Sequence, residues 1–279
     1  MRIINAAAVT QAVRELCVKA NRELPSDVKT ALRAARETEK WPLAKETLDK
    51  IISNFERASE KMLPICQDTG IICVFVELGQ SLKIEGGLEQ AINEGVRQGF
   101  RDGFLRASIV RDPLRRENTG DNTPAMIDIK IVSGSNLSIT IAPKGFGSEN
   151  CGRIAMLNPA AGLDGITDFV IGVVKEAGAN PCPPVVVGVG IGGSFDKAAL
   201  LAKKALLRPL DTRNSDPFYR DIEDTLLKKI NALGIGPQGY GGGTTALSVA
   251  IEVMPAHIAG LPCAVNINCH AARRAGIVL

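Results

Sequence analysis

The sequence predicts an α+β fold: an N-terminal helical arm at residues 1–60, followed by one large domain at residues 61–279 of mixed helices and sheets with an antiparallel hairpin. Two patterns indicate this class. From residue 6 to about residue 58, apolar residues recur at helical spacing among charged ones, and further along two segments alternate apolar and polar residues with the period of a strand. At 279 residues the chain is long enough to bury a sizeable core.

The composition argues against several classes of protein. Hydrophobic residues at 45% and charged residues at 23% are ordinary globular usage, which excludes a fibrous or wholly disordered chain. A net charge of +3 with 4% aromatic residues argues against a nucleic-acid partner. No apolar run approaches the roughly 20 residues of a membrane helix and no signal-peptide pattern is present, so we expect a cytoplasmic protein with no membrane partner. Seven cysteines without compact disulfide spacing indicate reduced thiols that can bind metal.

The arm is interrupted near Leu24-Pro25 and near Trp41-Pro42, which predicts two or three helices. Ser26 is placed to cap the helix that starts after the first break. The arm carries no group of chemically reactive side chains. We therefore expect its apolar face to pack on the rest of the chain or on a partner chain.

The segment after the arm begins with an apolar run at residues 71–78, which predicts a largely buried strand. Residues 87–105 follow as a predicted helix, in which the small Gly99 and Gly103 indicate close approach by another element. Alternation at residues 126–132 and 137–141, separated by Ser-Gly-Ser-Asn, favours an antiparallel hairpin.

The second half of the chain shows further helix and strand patterns. Helices are predicted at residues 164–177, 195–207 and 218–233, strands at residues 185–189 and 244–254, and a glycine-rich loop at residues 234–243.

Residues 188–193 fit the pattern G-x-G-x-x-G between an apolar strand and a helix, as a dinucleotide-binding fingerprint requires. A nucleotide-binding oxidoreductase is therefore one alternative. Against it, the pattern begins deep in the chain, and residues 208–216 lack the apolar strand that should carry the ribose-binding acid. A tight strand-to-helix turn with an anion-friendly helix start accounts for the pattern as well.

The most concentrated group of reactive side chains is Pro-Ile-Cys-Gln-Asp-Thr-Gly at residues 64–70, at the entry to the first predicted strand. Cys66 has the chemistry of a soft thiolate ligand and Asp68 that of a general acid or base. In the alternative, Asp68 caps backbone amides in a turn and Cys66 is a small buried hydrophobe. These residues alone favour the second interpretation.

Four other positions allow a functional and a structural interpretation. Arg106 is either a bidentate clamp for a substrate carboxylate or an exposed charge at a helix end. The glycines in residues 144–150 let backbone amides approach an anion or form an ordinary loop. Cys182 is held in a proline-rich turn and is either a pre-organised ligand or inert. His257 and His270, the chain's only histidines, are each either a residue of a functional site or a structural residue.

Four segments, in this order, resemble the oxygen-sensitive, iron-sulfur (class I) fumarate hydratases and the related L-tartrate dehydratases. They are Cys-Gln-Asp-Thr-Gly at 66–70, Lys-Gly-Phe-Gly-Ser-Glu-Asn at 144–150, Pro-Cys-Pro-Pro at 181–184, and His-Ile-Ala-Gly-Leu-Pro at 257–262 leading to Asn-Cys-His-Ala-Ala-Arg at 268–273. The chain is similar in extent to the family's separate alpha subunit, without room for the second catalytic domain. Cys263 stands where an aliphatic residue is more usual in that family, and Gly243 is a second departure.

The resemblance implies a role for each matching residue. Its implied ligands of a 4Fe-4S cluster are Cys66, Cys182 and Cys269. Its implied catalytic residues are Asp68, as proton donor to the departing hydroxyl, and His257, which would bind substrate beside the cluster. Its implied substrate contacts are Gln67, Arg106 and the backbone amide of Gly147. Under the resemblance, residues 61–279 are an iron-sulfur hydro-lyase domain.

The resemblance also implies partners and a reaction. A beta subunit would complete the active site, in a higher oligomer of alpha-beta pairs, and the substrate would be a small dicarboxylate. We favour fumarate and malate, with L(+)-tartrate as the alternative. The nucleotide-binding oxidoreductase ranks next, and a zinc-stabilised scaffold that uses Cys269, His270 and another thiol ranks third.

Overall fold

The structure is a computed structural model that describes residues 2–279. Contacts divide the chain into two compact units. The first contains the chain up to Pro25, Phe55–Gly145 and Arg273–Leu279, and the second contains Ser26–Asn54 and Phe146–Ala272. Among the residues described, no helix is long and apolar enough to cross a membrane.

The predicted α+β class is confirmed, because helices and mixed sheets occur together along the chain. The helices are α1 (Ala6–Arg22), α2 (Ser26–Thr38), α3 (Pro42–Lys61), α4 (Leu88–Asp102), α5 (Phe146–Glu149), α6 (Gly162–Ala177), α7 (Phe195–Ala205) and α8 (Pro217–Asn231). The strands are β1 (Arg2–Asn5), β2 (Ile71–Gly79), β3 (Leu82–Glu85), β4 (Met126–Val132), β5 (Leu137–Lys144), β6 (Arg153–Leu157), β7 (Val185–Gly193), β8 (Ala246–Ala256), β9 (Leu261–Asn268) and β10 (Ala275–Val278).

The helical arm forms as predicted, with α1 ending before Pro25 and α3 beginning at Pro42. Proline lacks a backbone N–H and disfavours helical geometry in the residue before it, so these two prolines separate the helices. Helix α1 belongs to the first unit and α2 to the second. The predicted boundary at residue 60 between an arm and a catalytic domain stays a prediction.

In the first unit a four-stranded sheet has the order β10-β5-β2-β4. Strands β4 and β5 lie where alternation predicts them, but their direct pairing as a hairpin is wrong. Strand β2 lies between them, parallel to β4 and antiparallel to β5. The loop that joins them passes the end of β2, where Gly79 N donates to Asn136 O and Ser81 N to Gly134 O. The nearly continuous apolar run of β2 suits this central position.

Helix α4 packs closely on α1 through glycines. A Cβ on Gly95 would lie 2.6 Å from the Cβ of Val13, and one on Gly99 would lie 2.8 Å from the Cβ of Cys17. Real side chains do not approach this closely, so the two helix backbones meet only because these positions lack side chains. The close approach predicted at Gly99 is confirmed.

In the second unit a four-stranded sheet has the order β6-β9-β7-β8. Val185, Val187 and Val189 of its central strand β7 belong to one core with apolar residues of α6 and α8. Gly188 and Gly190 face α7, where a Cβ on either would lie 2.2 Å from a carbonyl oxygen of that helix. The interpretation of residues 188–193 as a strand-to-helix turn is wrong, since all six lie within β7. Close packing of α7 accounts for these two glycines.

A buried ion pair joins three elements of the second unit. Glu223 on α8 is 1% exposed, pairs with the guanidinium of Arg208, and accepts a hydrogen bond of 2.7 Å from Ile251 N on β8. Arg208 also lies 3.6 Å from Glu252, a carboxylate that is 41% exposed. The two carboxylates therefore share one arginine but differ in burial.

Replacement of Glu223 by alanine is expected to lower the free energy of unfolding by about 3–5 kcal/mol, because the largely buried Arg208 side chain loses its nearest charge partner and keeps only the more distant Glu252. Urea unfolding followed by circular dichroism measures this loss. Glu252→Ala is the matched control, with an expected loss of less than about 1 kcal/mol for an exposed pair. Equal losses from the two variants would contradict the argument from burial.

Candidate active site

Residues 64–70 form the loop that joins α3 to β2 in the first unit. Cys66 and Asp68 are half-buried there and Gln67 is exposed. The Sγ of Cys66 lies 3.5 Å from Oε1 of Gln67. Three neighbouring side chains that could bind metal or substrate are thus accessible at the beginning of the central strand of the sheet.

The carboxyl group of Asp68 is held in one orientation. Its Oδ1 accepts a hydrogen bond of 3.0 Å from Gly70 N, as in the capped turn that the sequence offered as an alternative. Its Oδ2 lies 3.1 Å from where a Cβ on Gly145 would be. The turn therefore fixes one oxygen, and a side chain at position 145 would crowd the second.

The buried side chain of Arg273 holds this loop through hydrogen bonds, a role that the sequence analysis missed. It is 3% exposed, its Nη2 donates to Asp68 O at 3.0 Å, and its Nη1 donates to Asn21 Oδ1 at 2.9 Å. Asn21 O in turn accepts from Ile65 N at 2.9 Å. The sequence offered one signal for this role, which was the position of Arg273 at the end of a motif. A buried arginine requires fixed hydrogen-bond acceptors, and Asp68 O and Asn21 Oδ1 are those acceptors here.

Arg106 is tied to the same loop through its backbone. The hydroxyl of Thr69 accepts from Arg106 N at 3.0 Å and donates to Arg106 O at 3.1 Å. The Arg106 residue itself is exposed. Arg106 does not belong to α4, which ends at Asp102, and its role as a carboxylate clamp stays a prediction.

Strand pairing brings Cys182 and Cys269 to one edge of the sheet in the second unit. Strands β7 and β9 are antiparallel, with Val186 opposite Asn268, so the segment that leads into β7 and the segment that follows β9 lie at the same end of the sheet. His270 N donates to Cys182 O at 3.3 Å, which confirms that the two segments touch. Cys182 is exposed and Cys269 half-buried.

Gly147 lies near the same edge. It is exposed within the short helix α5, and a Cβ on it would lie 3.6 Å from Asn180 O, next to the Cys182 turn. Its position is compatible with the predicted backbone contact to substrate, which stays a prediction.

His257 lies elsewhere in the second unit. It is exposed in the turn between β8 and β9, where its Nδ1 accepts from Ala259 N at 3.2 Å. Cys269 follows the other end of β9, and an eight-residue strand spans roughly 25 Å. The chain does not bring His257 and Cys269 together within this unit, and the catalytic role of His257 stays a prediction.

Thiol accessibility separates the three cysteines in motifs from the other four. Cys17, Cys73, Cys151 and Cys263 are all buried. Burial raises the pKa of Cys17, and it raises the pKa of Cys263 to about 12, so neither readily forms a thiolate. Cys66, Cys182 and Cys269 are accessible soft donors in loops, as cluster binding requires, and they therefore fit an iron-sulfur cluster.

No group of three or more His, Cys, Asp and Glu side chains is gathered at metal-binding distances anywhere in residues 2–279. Cys182 and Cys269 both belong to the second unit, where their segments touch, whereas Cys66 belongs to the first unit. The accessible donors are thus distributed over two units.

Comparison with known proteins gives consistent matches along the chain. The model of the family described as "Fumarate hydratase (Fumerase)" matches residues 10–278. A protein of Methanocaldococcus jannaschii named "Putative L(+)-tartrate dehydratase subunit alpha" is 43% identical over 275 residues, which cover 96% of each chain. The "L(+)-tartrate dehydratase subunit alpha" of Escherichia coli strain K12 is 31% identical over 274 residues, which cover 97% of this chain and 90% of that one.

Proposed function

Because the chain belongs to the fumarate hydratase (Fumerase) family and is a hydro-lyase, we propose that it is the alpha subunit of an L(+)-tartrate dehydratase. The observation that supports this substrate is the name shared by relatives that align over at least nine-tenths of both chains. The relatives thus favour tartrate over the fumarate and malate that the sequence analysis preferred. The family description keeps fumarate hydratase as the second candidate.

The proposed chemistry divides among several residues of the chain, two of which, Gln67 and Asp68, lie in the loop at the start of β2. Dehydration breaks a C–O bond and the C–H bond of the adjacent carbon. Asp68 gives its proton to the departing hydroxyl oxygen, which leaves as water, and a base takes the carbon proton. Gln67 and Arg106 bind carboxylates of the substrate. Gly147 offers a backbone amide, and His257 is proposed as a substrate contact from its motif alone.

The proposed cofactor is a 4Fe-4S cluster held by the thiolates of Cys66, Cys182 and Cys269. When bound, such a cluster with three protein ligands supplies an open iron that acts as a Lewis acid toward the substrate hydroxyl and carboxylate. The accessibility of these three thiols and the burial of the other four support the assignment.

The proposed partner is a beta subunit that completes the active site. The residues proposed to act on the substrate include an acid, Asp68, and one cationic side chain, Arg106, whereas the reaction also needs a base for the carbon proton and cations for two carboxylates. The names of the relatives, which are alpha subunits, support a heteromer. We propose that alpha-beta pairs assemble further.

The test is to purify the chain anaerobically with and without its beta subunit and to measure iron, sulfide and turnover of L(+)-tartrate, malate and fumarate. A brown complex with a higher kcat/KM for tartrate supports the proposal, and a preference for malate and fumarate replaces tartrate by the second candidate. Full activity of the chain alone would contradict the need for a partner. A colourless complex that binds nicotinamide, or one that contains only zinc, would contradict the cluster.

A further inference from the structure

Cys182 adopts an unusual backbone conformation. Its φ is +54°, in the left-handed region, and it precedes Pro183. This conformation costs a residue with a Cβ roughly 1 kcal/mol or more. A following proline restricts the backbone of that residue further. Such a conformation persists only where the surroundings fix it. Some contact in the second unit must therefore hold the Cys182 turn.

The turn is held by two side chains from other parts of the second unit. The backbone N and the side-chain Nε2 of Gln238 both donate to Pro183 O, at 2.7 Å and 2.9 Å. The Nδ1 of His270 lies 3.0 Å from Cys182 O and 3.1 Å from Gln238 Nε2. A polar side chain thus lies within hydrogen-bond distance of each of the two consecutive carbonyl oxygens of the turn.

Each neutral tautomer of His270 makes a hydrogen bond of one of the two contacts at Nδ1. With the ring proton on Nε2, the amide group of Gln238 donates one hydrogen to Pro183 O and the other to Nδ1. With the proton on Nδ1, the ring donates it to Cys182 O. In both cases Gln238, His270 and the Cys182 turn remain linked.

Gln238 lies in a loop that packs on other parts of the second unit. It lies in the glycine loop, residues 234–243, at a φ of +54°. A Cβ on Gly239 would lie 2.4 Å from the Cβ of Ala179, so the loop lies directly against the segment that leads to Cys182. At its far end Gly243 N donates to Glu39 Oε2 at 2.9 Å.

Glu39 is a strong anchor for this loop. It is 7% exposed, and burial raises its pKa, but hydrogen bonds from the backbone N–H groups of Trp41, Lys40, Gly243 and Thr244 outweigh burial and lower it overall. The carboxylate is therefore charged at neutral pH and holds the glycine loop in place. Its contribution to stability is present above the pKa of the unfolded chain and is lost as the pH falls through the lower pKa of the folded chain.

We propose that Gln238 is a positioning residue for the thiol of Cys182, acting through Pro183 O and the ring of His270. The proposal rests on the proposed function, in which Cys182 is a cluster ligand. Gln238 does not touch the cluster or the substrate. The Gln238 side chain fixes the backbone that carries the Cys182 thiolate. Removal of this side chain therefore keeps the thiol in the chain but leaves its position less well fixed.

The first test uses the metal-free full-length chain, so that it does not depend on a cluster. In Gln238→Leu, which keeps the side-chain bulk and the backbone hydrogen bond to Pro183 O but lacks the side-chain hydrogen bonds, amide exchange at Cys182 and His270 should accelerate roughly three- to tenfold. Tyr240→Ala is the matched control, because Tyr240 is exposed in the same loop. Unchanged exchange in Gln238→Leu, or equal acceleration in Tyr240→Ala, would overturn the proposal.

The second test uses the reconstituted complex. Gln238→Leu and Gln238→Glu, which both lack the N–H donors, should release iron to a chelator roughly three- to tenfold faster than the parent and should alter the visible circular dichroism of the cluster. Tyr240→Ala should match the parent in both. Parental iron release and an unaltered spectrum in both Gln238 variants would overturn the positioning role. A parent complex that binds no cluster would instead contradict the proposed function and leave the exchange result intact.

Discussion

Replacing Cys182 by serine is expected to reduce the iron content of the complex to background, and Cys66→Ser and Cys269→Ser are expected to do the same. A serine hydroxyl is a hard donor that stays protonated near neutral pH, so it does not replace a soft thiolate on iron. The measurement is iron and sulfide per alpha chain after anaerobic reconstitution, together with the absorbance of the sulfide-to-iron bands.

Cys263→Ser is the matched control for these three variants. Cys263 is close to Cys269 in sequence, but it is buried within β9, opposite Ile191 of β7. We expect full iron content in Cys263→Ser, with some loss of stability from placing a hydroxyl in the core. Full iron after Cys182→Ser would remove Cys182 from the ligand set, and loss of iron after Cys263→Ser would assign the late ligand to that residue.

Replacing Asp68 by asparagine is expected to lower the turnover number of the assembled complex by a factor on the order of 10² or more, the usual contribution of one general acid. Asparagine keeps the shape of the side chain, and its Oδ1 can still accept from Gly70 N, but it has no acidic proton to give to the leaving hydroxyl. The loss should therefore fall on kcat, with KM and iron content near those of the parent.

Asp112→Asn is the matched control for Asp68→Asn. Asp112 is also a turn-capping aspartate of the first unit, and its Oδ1 accepts from Leu114 N at 2.9 Å and from Arg115 N at 2.7 Å. The same substitution there should leave turnover within about twofold of the parent, since no catalytic or substrate-binding role is proposed for Asp112. Near-parental turnover of Asp68→Asn would remove Asp68 from the mechanism.

Local patterns were sufficient to determine most helices and several strands. Prolines at positions 25 and 42 separate the helices of the arm, and the apolar run after Gly70 became β2, because proline geometry and hydrophobic burial act over a few residues. Short strands such as β1, β3 and β10 were missed, since four residues carry too little periodicity.

Motifs in the sequence also located the candidate site. The order of the cysteine-containing segments indicated the family, and the family match over residues 10–278 confirmed it. Motif chemistry alone did not tell which cysteines are accessible. Burial separates Cys182 from Cys263, and burial is decided by which strand passes through the core.

The tertiary structure decided the contacts between segments that are distant in sequence. The antiparallel register of β7 and β9 brings Cys182 beside His270, the insertion of β2 separates β4 from β5, and Arg273 reaches Asp68 O from the C-terminal end. Periodicity specifies which face of a strand is buried but not which strand lies beside it. The sequence by itself therefore determined the elements and the reactive residues, and long-range pairing, which depends on how whole elements pack, determined which of those residues meet.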